Sequence, residues 1–328
     1  MSVYNGARFL QQALESILAQ TLENFEVVVM DDGSTDDSPA ILRDVSRRDV
    51  RIQVHRHENR GLAKAINHAV TLARAPIIAR LDADDVALPT RLEHQVAFLA
   101  ENPAVALVGG AAVFIDERGQ VFAEARYPTE SEDIRLAFEH TTPFVHSAAT
   151  FRRTAFETVG GYRAAFVDSE DLDLWLRLSE QHVVANLPEA VVQYRLHADQ
   201  ASVRNLERQA VSALAARTAW RARAHGGPDP FDDVQRLDDA ALAAAGLSDA
   251  DLAEEFVRLA SWLGKTTARA GKLAEGHELL DVALRRARSD GTPALVAYAR
   301  AQRADRFAEE GRPIRAGLER ARTRLARS

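Results

Sequence analysis

The residues of this sequence best suited to chemistry are two clusters of acidic side chains, each directly after an apolar run. Asp31 and Asp32 follow the apolar run 25–30, and three carboxylates at 82–85 follow the apolar run 76–81. Carboxylates at strand ends could bind the base and ribose of a nucleotide, or a divalent cation, which prefers oxygen ligands. Three carboxylates within four residues repel one another, so a cation or a solvated loop must relieve the repulsion. From the residues alone, a simple helix start after Gly33 and an exposed acidic turn before Pro89 remain the alternatives.

Further residues could take part in acid–base chemistry or in binding. Glu170 and Asp171 open a predicted helix, whose dipole keeps a carboxylate ionised; such a group suits a general base only if a reacting hydroxyl can reach it. Helix capping is the alternative. His197 follows a predicted strand and could bind a metal ion or a phosphate, although a single histidine is more often a packed or surface residue. His146 lies in a polar loop, where it could contact a sugar acceptor or only support the loop.

The first 110 residues alternate between helical and strand patterns. Apolar residues at helical spacing predict helices, and short apolar runs predict buried strands. This alternation predicts a parallel sheet covered on both faces, whose ligands bind beyond the carboxyl ends of the strands, and both acidic clusters are expected at that edge. The predicted helices are 7–20, 37–48, 62–73 and 90–101, and the predicted strands are 25–30, 51–55, 76–81 and 105–108.

The rest of the chain is an irregular stretch followed by a helical tail. After His197 the strand signals end, and alanine-, leucine- and arginine-rich helical pattern continues to the last residue. We place the domain boundary between 200 and 230, with 226–230 as the linker candidate. Small residues between 262 and 283 have a spacing similar to one tetratricopeptide unit, although a plain helical bundle is favoured. The predicted elements and domains are strands at 111–115, near 183 and near 191, helices at 152–159 and 170–181, a first domain 1–205 and a helical C-terminal region 206–328.

Composition and charge exclude several classes of protein. Of 328 residues, 46% are hydrophobic and 27% are charged, which indicates a soluble globular protein and not a disordered one. The net charge of −7 argues against nucleic acid as a partner. The absence of cysteine excludes disulfides and thiolate metal sites. No apolar run approaches the roughly 20 residues that span a bilayer, so the cytoplasm is the default compartment.

Seven short motifs follow one another in order along residues 1–200. They are Val3-Tyr4-Asn5-Gly6, Asp31-Asp32-Gly33-Ser34-Thr35-Asp36, Asn59-Arg60-Gly61-Leu62-Ala63 with Asn67, Arg80-Leu81-Asp82-Ala83-Asp84-Asp85, Gly160-Gly161-Tyr162, the segment 170–178, and Tyr194-Arg195-Leu196-His197. Together they closely resemble the motifs of the inverting glycosyltransferases of family 2. The resemblance does not extend to the helical tail.

The resemblance implies a GT-A fold, which is a Rossmann-like α/β fold with a mixed, mainly parallel sheet flanked by helices, here followed by an all-α region. It implies a metal-dependent, hexosyltransferase-like enzyme with a nucleotide-diphosphate sugar as donor and Mn²⁺ or Mg²⁺ as cofactor. The implied roles are Tyr4, Asn5, Asp31, Asp32, Lys64, Asp82, Ala83, Gly160, Gly161 and Glu170 at the donor, Asp84 and His197 at the metal, Asp171 as catalytic base, and His146 and Trp175 as candidate acceptor contacts.

The implied mechanism is a single displacement. The metal would neutralise charge on the departing diphosphate, while Asp171 removes the proton of an acceptor hydroxyl that attacks the anomeric carbon from the opposite face. One displacement inverts the configuration and needs no covalent enzyme nucleophile.

One departure from the family pattern concerns the start of the chain. Family members normally begin with an apolar strand before the Val-Tyr-Asn segment, and here Met1 stands where that strand should be ending. We expect the true start to lie about eight residues upstream. Without such a strand, its neighbours would have unpaired edges, which predicts poor solubility.

Two other functions are weighed against the transferase. The first is a catalytically weak nucleotide-sugar-binding or scaffold protein acting through its helical tail, which would not need all of the acidic residues and His197 together. The second is a sugar nucleotidyltransferase, which would need a glycine- and arginine-rich phosphate loop after its first strand, and none is found.

The resemblance also suggests the setting in which the enzyme acts. The acceptor is expected to be a glycan or a lipid-linked molecule in polysaccharide, glycolipid or cell-wall assembly. The arginine-rich stretch 312–327 is the candidate for peripheral contact with the inner face of the cell membrane. The donor sugar, the nucleotide base, the acceptor and the oligomeric state are left open by the sequence.

Overall fold

The computed structural model describes residues 1–197, 200, 204–290 and 292–310, which divide into two compact units. The first unit is formed by Met1–Ala164 and Glu170–Arg195, and the second by Ala165–Ser169 and the described residues from Leu196 onward. The change of unit at Arg195 precedes the expected boundary at residue 205. The predicted linker 226–230 lies inside the second unit, because the helices on both sides of it belong to that unit.

Helices and strands alternate through the first unit, as the apolar pattern predicts. Strands β6 (Val105–Ile115) and β9 (Val183–Arg195) each join two segments that the sequence predicted separately. The two strands pair along their whole length, and shifts of register accommodate the irregular residues. The helices are α1 (Ala7–Leu18), α2 (Ser38–Arg48), α3 (Leu62–Leu72), α4 (Arg91–Glu101), α5 (Ser131–Ala137), α6 (Arg153–Thr158) and α7 (Glu170–Gln181). The strands are β1 (Ser2–Val3), β2 (Val27–Asp31), β3 (Ile52–Arg56), β4 (Ile77–Ala79), β5 (Val86–Ala87), β6 (Val105–Ile115), β7 (Val121–Ala125), β8 (Thr150–Arg152) and β9 (Val183–Arg195).

The strands of the first unit form two sheets. Strands β1, β2 and β3 form a parallel sheet, and the others form a sheet with the order β4-β8-β6-β9-β5, in which β7 also pairs with β6. Only β6 and β9 are parallel among the described pairings of the second sheet. The predicted mixed sheet with flanking helices is therefore confirmed, with more antiparallel pairing than expected. One reason is the short turn from β6 to β7, which permits only an antiparallel pair.

Helix α1 illustrates how the apolar spacing forms the fold. Leu10 and Leu14 lie one turn apart and are fully buried in one cluster with Val3, Val27 and Val29 of the parallel sheet. Burial of a leucine side chain contributes about 2 kcal/mol to folding. This packing places the first turn of α1 beside the loops that follow β1 and β2.

A buried polar network joins α4 to the segment before β8. Arg91 donates to the carbonyl oxygens of Arg80 at 2.7 Å and Ala149 at 3.2 Å, and to the Gln95 side chain at 3.0 Å. The Gln95 amide donates in turn to the carbonyl of Ala148 at 2.7 Å. Burial, together with the nearby Arg80 charge, lowers the pKa of Arg91 to about 9. The network holds the end of β4 against the segment 146–149, and both carry residues of the site described below.

A cavity of about 770 Å³ lies inside the first unit, between β2 and β4. Its lining is largely apolar, with Arg80 and Arg91 among the polar residues. The amino group of Met1 lines it too and donates to the carbonyl of Val28 at 2.9 Å. Burial and the Arg80 charge lower the pKa of this amine to about 5. With the cavity between them, β2 and β4 make no strand pair in the described structure.

In the described residues from 204 onward, the second unit contains helices and connecting turns and no strand, as predicted. Helices α10 (Asp249–Arg269) and α11 (Leu273–Asp290) form a hairpin. Their crossing requires glycine, because a Cβ at Gly276 of α11 would lie 2.6 Å from the carbonyl oxygen of Gly264 of α10. The small-residue spacing thus serves close packing, and a tetratricopeptide character stays a prediction. The helices are α8 (Leu206–Ala224), α9 (Asp239–Ala244), α10 (Asp249–Arg269), α11 (Leu273–Asp290) and α12 (Pro293–Glu309).

None of the described helices combines the length and the apolar composition that crossing a bilayer requires. The arginine-rich stretch 312–327, predicted as a membrane contact, lies outside the described residues.

Candidate active site

Two loops meet beside the first turn of α1: the loop after β1 and the loop after β2. The backbone N–H of Asn5 donates to Ser34 Oγ at 3.0 Å. Asp36 accepts the N–H groups of Ala7 at 3.0 Å and Ser38 at 2.9 Å, so one carboxylate caps the first turns of both α1 and α2. The helix start expected after Gly33 is therefore present, and Asp36 is the residue that caps it.

Asp31 and Asp32 are buried and bind backbone groups. Asp32 accepts the N–H of Arg60 at 2.8 Å and that of Gly61 at 2.9 Å, which holds the loop before α3. Asp31 accepts the N–H of Ser34 at 2.9 Å. The two carboxylates thus order the loops around an open pocket of about 460 Å³, and their direct contact with a nucleotide stays a prediction. The pocket is lined by Gly33, Arg56, His57, Glu58 and Asn59.

Asp82 is held ionised by the residues around it. It pairs with the buried guanidinium of Arg80, and its Oδ2 accepts the Ser147 hydroxyl at 2.9 Å. The Asp82 N–H donates back to Ser147 Oγ at 3.0 Å. Burial alone would raise the pKa of Asp82, but Arg80, His146 and Ser147 together lower it to about 2. Asp82 therefore carries a negative charge at neutral pH.

Asp85 is buried and binds a backbone group, which the sequence did not indicate. Its Oδ1 accepts the N–H of Arg195 at 2.7 Å, and its buried Oδ2 has no partner among the described residues. Burial and the charges of Asp84 and Asp82 raise the pKa of Asp85 well above its usual range. The Arg80 pair and the Arg195 N–H thus stabilise the cluster, in addition to any cation.

His146, Tyr162 and Trp175 form one wall of the site. His146 Nε2 lies 2.8 Å from the phenol oxygen of Tyr162, and its ring packs edge-on against Trp175. Burial and Arg80 lower the pKa of His146 to about 3, so the ring is neutral and its 4.0 Å approach to Asp82 is not an ion pair at neutral pH. Trp175 is fully buried and packs against His146 and Tyr162, and its contact with an acceptor stays a prediction.

Helix α7 brings Asp171 to the same wall. Burial raises the pKa of Asp171 to about 6, and the charge of Asp82 adds to this, while the Leu172 N–H, which donates to Asp171 Oδ1 at 2.8 Å, and Arg80 oppose it. Burial and the charges of Asp171, Glu170 and Asp82 likewise raise the pKa of Tyr162 well above its usual range. The charges of Asp171, Glu170 and Asp82 therefore all act on one phenol, and the raised pKa of Asp171 suits a general base.

The turn before Tyr162 depends on two glycines. Gly160 and Gly161 have φ angles of +82° and +67°, in the left-handed region that side chains rarely adopt. A Cβ at Gly161 would also lie 2.9 Å from Asn67 Oδ1 and 3.0 Å from the Phe156 ring, whereas a Cβ at Gly160 would meet nothing within 4 Å. Gly161 is therefore required for both conformation and space, and Gly160 for conformation alone.

We expect Gly161→Ala to lower the free energy of unfolding more than Gly160→Ala. Alanine at Gly160 costs the backbone strain of about 1–2 kcal/mol. Alanine at Gly161 adds an overlap that costs about 1–3 kcal/mol more. Melting temperatures of the two variants measure the difference, and equal losses would show that Asn67 and Phe156 do not confine Gly161.

The remaining predicted site residues differ in exposure and in their place in the fold. Tyr4, after β1, and Lys64, on α3, have exposed side chains. Ala83 lies close to the loop after β1, because a Cβ added at Gly6 would be 3.4 Å from the Cβ of Ala83. His197 is buried in the second unit, and its role in metal or diphosphate binding stays a prediction.

The residues present are compatible with a divalent cation. No group of three or more His, Asp or Glu side chains in the described part of the chain is arranged to hold a metal ion. Mg²⁺ and similar cations, however, are commonly bound by one or two carboxylates, with substrate phosphates and water completing the shell. The Asp82–Asp85 cluster supplies that donor chemistry. Asp84 as the residue that binds the cation stays a prediction.

Several residues that build the site were not singled out from the sequence. Arg80 and Ser147 hold Asp82, and the N–H and guanidinium of Arg195 hold the Asp84-Asp85 segment. Asn67 binds the backbone of Tyr162 through two hydrogen bonds, at 2.8 and 2.9 Å. Arg80, Asn67 and Arg195 lie within the motifs quoted above, so their positions were visible but their contacts were not.

Comparison with known proteins supports one family. Residues 1–160 match the sequence model described as Glycosyl transferase family 2. The chain is 34% identical over 211 residues to the amylovoran biosynthesis glycosyltransferase AmsE of Erwinia amylovora, covering 62% of this chain and 77% of that protein. It is 33% identical over 201 residues to the O-antigen biosynthesis glycosyltransferase WbnJ of Escherichia coli, covering 60% of this chain and 78% of that protein.

Solved structures share the fold at low sequence identity. The mannosyltransferase PcManGT from Pyrobaculum calidifontis, in complex with GDP-Man and Mn²⁺, aligns with a TM-score of 0.53 at 20% identity, covering 98% of this chain and 85% of that one. S. aureus TarS 1–349, in complex with UDP-GlcNAc, aligns with a TM-score of 0.54 at 15% identity, covering 99% of this chain and 90% of that one. At these identities the two structures support the fold alone.

Proposed function

The chain belongs to glycosyltransferase family 2 and is a glycosyltransferase, and from this premise we propose that it transfers a sugar from a nucleotide-diphosphate sugar to an acceptor hydroxyl with inversion of configuration. The observation that carries the proposal is the position of Asp171, a carboxylate with a raised pKa on the same wall as the Asp82–Asp85 cluster. One candidate base suits a single displacement.

The proposed step assigns a role to each group of residues. Asp171 accepts the proton of the acceptor hydroxyl as its oxygen forms a bond to the anomeric carbon, and the bond from that carbon to the diphosphate breaks with its electron pair on the leaving group. Tyr4, Asn5, Asp31, Asp32 and Lys64 bind the nucleotide end of the donor. Asp82, Ala83, Gly160, Gly161 and Glu170 form the sugar end of the pocket, and His146 lies on its acceptor side.

Asp84 would hold a divalent cation, with His197 as a second proposed ligand of the metal or the diphosphate. When bound, Mn²⁺ or Mg²⁺ would neutralise the charge that develops on the leaving diphosphate. The complex of PcManGT with GDP-Man and Mn²⁺ supports this assignment by analogy of fold.

The acceptor class is proposed from the relatives. Their names place AmsE in amylovoran biosynthesis and WbnJ in O-antigen biosynthesis. These names support an acceptor hydroxyl on a growing glycan or a lipid-linked glycan. The nucleotide base and the sugar are not proposed, because the two solved structures carry different donors, GDP-Man and UDP-GlcNAc.

A binding screen tests the proposed donor. Thermal stability is measured with nucleotide diphosphates and their sugars, each with and without Mn²⁺, since a ligand of the native state raises apparent stability. We expect one nucleotide family to stabilise the protein in a metal-dependent manner. If a folded protein is stabilised by none of them, the donor assignment is wrong and a scaffold role becomes the better account.

The rate of nucleotide-diphosphate release should depend on pH through Asp171. The base must be ionised to accept a proton, and burial raises its pKa to about 6. We therefore expect the rate to rise with pH through about 6 and to level off above it. Activity that instead persists unchanged down to pH 4.5 would exclude Asp171 as the titrating base.

A further inference from the structure

Two side chains from different helices form hydrogen bonds with the backbone of the turn at residues 159–162. Asn67 of α3 accepts the N–H of Tyr162 at 2.9 Å and donates to its carbonyl at 2.8 Å. Arg177 of α7 donates to the carbonyl of Val159 and, at 2.7 Å, to that of Gly161. The backbone on both sides of the glycine pair is thus tied to two helices of the first unit.

Arg177 is itself fixed by a buried carboxylate. Its Nε and Nη2 donate to Asp173 Oδ2 at 3.0 and 2.7 Å, and Arg163 pairs with the same carboxylate. Asp173 is fully buried and lies two residues after Asp171 on α7. One guanidinium therefore connects the first turn of α7, which carries the proposed base, to the glycine turn.

The held turn determines where Tyr162 lies. The Tyr162 phenol is within hydrogen-bonding distance of His146 Nε2, and the charges of Asp171, Glu170 and Asp82 act on it. Tyr162 is almost completely buried, so the held turn keeps its ring inside the first unit. If the turn moved, the wall between the proposed base and the Asp82 cluster would move with it.

We propose that Asn67 and Arg177 are positioning residues for the transfer, which hold the Gly160–Tyr162 turn so that Tyr162 shields Asp171 and aligns it with the acceptor hydroxyl. This inference rests on the proposed function, because it concerns the geometry of the proposed base. Neither side chain is required to touch donor or acceptor. A misplacement of about 1 Å at a reacting group costs about 100-fold in rate, so a small movement of the turn is sufficient.

The chemistry of arginine is specific to this role. Lysine at position 177 keeps the positive charge beside Asp173, but a single ammonium group cannot bind the carboxylate and two separated carbonyls in the planar geometry of a guanidinium. Arg177→Lys therefore loosens the turn and leaves the charge in place. Asn67→Ala removes the second attachment without adding a charge that would itself shift the pKa of Asp171.

Arg135 of α5 offers a matched control, because it also binds a backbone carbonyl of α7. It donates to the carbonyl of Ser179 near the end of α7, at 2.6 Å from Nη2, and its side chain is exposed. Arg135→Lys thus alters an arginine–carbonyl contact of α7 far along the helix from Asp171. We expect this variant to retain the wild-type rate and pH profile.

The test measures nucleotide-diphosphate release from the donor found in the binding screen, across pH, for the full chain. For Arg177→Lys and for Asn67→Ala we expect kcat to fall about 10- to 100-fold with KM for the donor within about two-fold. If water reaches Asp171 in these variants, the pKa of Asp171 should fall toward that of an ordinary aspartate. The acidic limb of the plot of rate against pH should then move below pH 6. Asp82, Arg80, Glu170, Tyr162 and His146, the charged and titratable groups around Asp171, are unchanged in both variants.

A purely structural role would give a different result. Loss of folded protein lowers the rate by the same factor at every pH and does not move the acidic limb. A proportional loss of this kind, or unchanged kinetics in both variants, would overturn the inference while leaving the proposed function intact. If wild-type protein released no nucleotide diphosphate from any donor, the proposed function itself would fail. The partly exposed Asn67 provides an independent variant if Arg177→Lys does not fold.

Discussion

Replacement of Asp171 by asparagine should lower kcat by about 100- to 10,000-fold, the usual contribution of a general base, with little change in nucleotide binding. Asparagine keeps the shape of the side chain and can still accept the Leu172 N–H, but it cannot take a proton from the acceptor. Rates of nucleotide-diphosphate release and titration with the nucleotide separate the two effects.

The same substitution should not reduce stability at neutral pH. Burial raises the pKa of Asp171 to about 6 from an ordinary value near 3.8, so the folded state binds this proton more tightly than the unfolded state. The resulting stabilisation is complete below the ordinary pKa and is lost as pH rises through about 6. At pH 7.5 asparagine therefore removes only an unfavourable buried charge. Glu180→Gln, at an exposed position on the same helix, is the control, and a wild-type rate in Asp171→Asn would eliminate this residue as the base.

Replacement of Asp84 by alanine should abolish the metal-dependent part of nucleotide binding. Loss of groups that only orient a metal ligand commonly costs 10- to 100-fold in metal affinity, so loss of a ligand should cost at least about 100-fold. Affinity for the nucleotide diphosphate in the absence of metal should be nearly unchanged. Isothermal titration with and without Mn²⁺ measures both values.

The control for Asp84 is Asp133→Ala, which removes an exposed carboxylate from α5 of the same unit. It should keep the full enhancement of binding by Mn²⁺. If Asp84→Ala showed the same enhancement as wild type, the cation would be held elsewhere, and the assignment of Asp84 would be wrong.

Most of the first unit could be predicted because its elements depend on local patterns. The apolar spacing in α1 and the run that forms β2 determine helix and strand without reference to distant residues. The motifs placed Asp31, Asp82 and Asp171 at the ends of elements, where the structure has them. The family followed from the order of these motifs, and the comparisons confirm it.

The contacts that hold the site could not be predicted in the same way. Arginine is seldom fully buried, so neither Arg80 nor Arg177 was expected to lie inside the fold. The bonds between Asn67 and Tyr162 join residues far apart in the chain, and they depend on the positive φ of Gly161. The raised pKa of Asp85 follows from its burial, which the sequence does not report. These features depend on tertiary structure and not on local propensity.

The configuration of the product tests the central claim most directly. The donor from the binding screen is incubated with the enzyme, with water as the acceptor, and the anomeric configuration of the first-released free sugar is read by proton NMR before mutarotation can change it. A single displacement assisted by Asp171 predicts inversion, so that an α-linked donor yields a β product. Retention of the donor configuration would require a second displacement or a different nucleophile, and would contradict the mechanism proposed for this site.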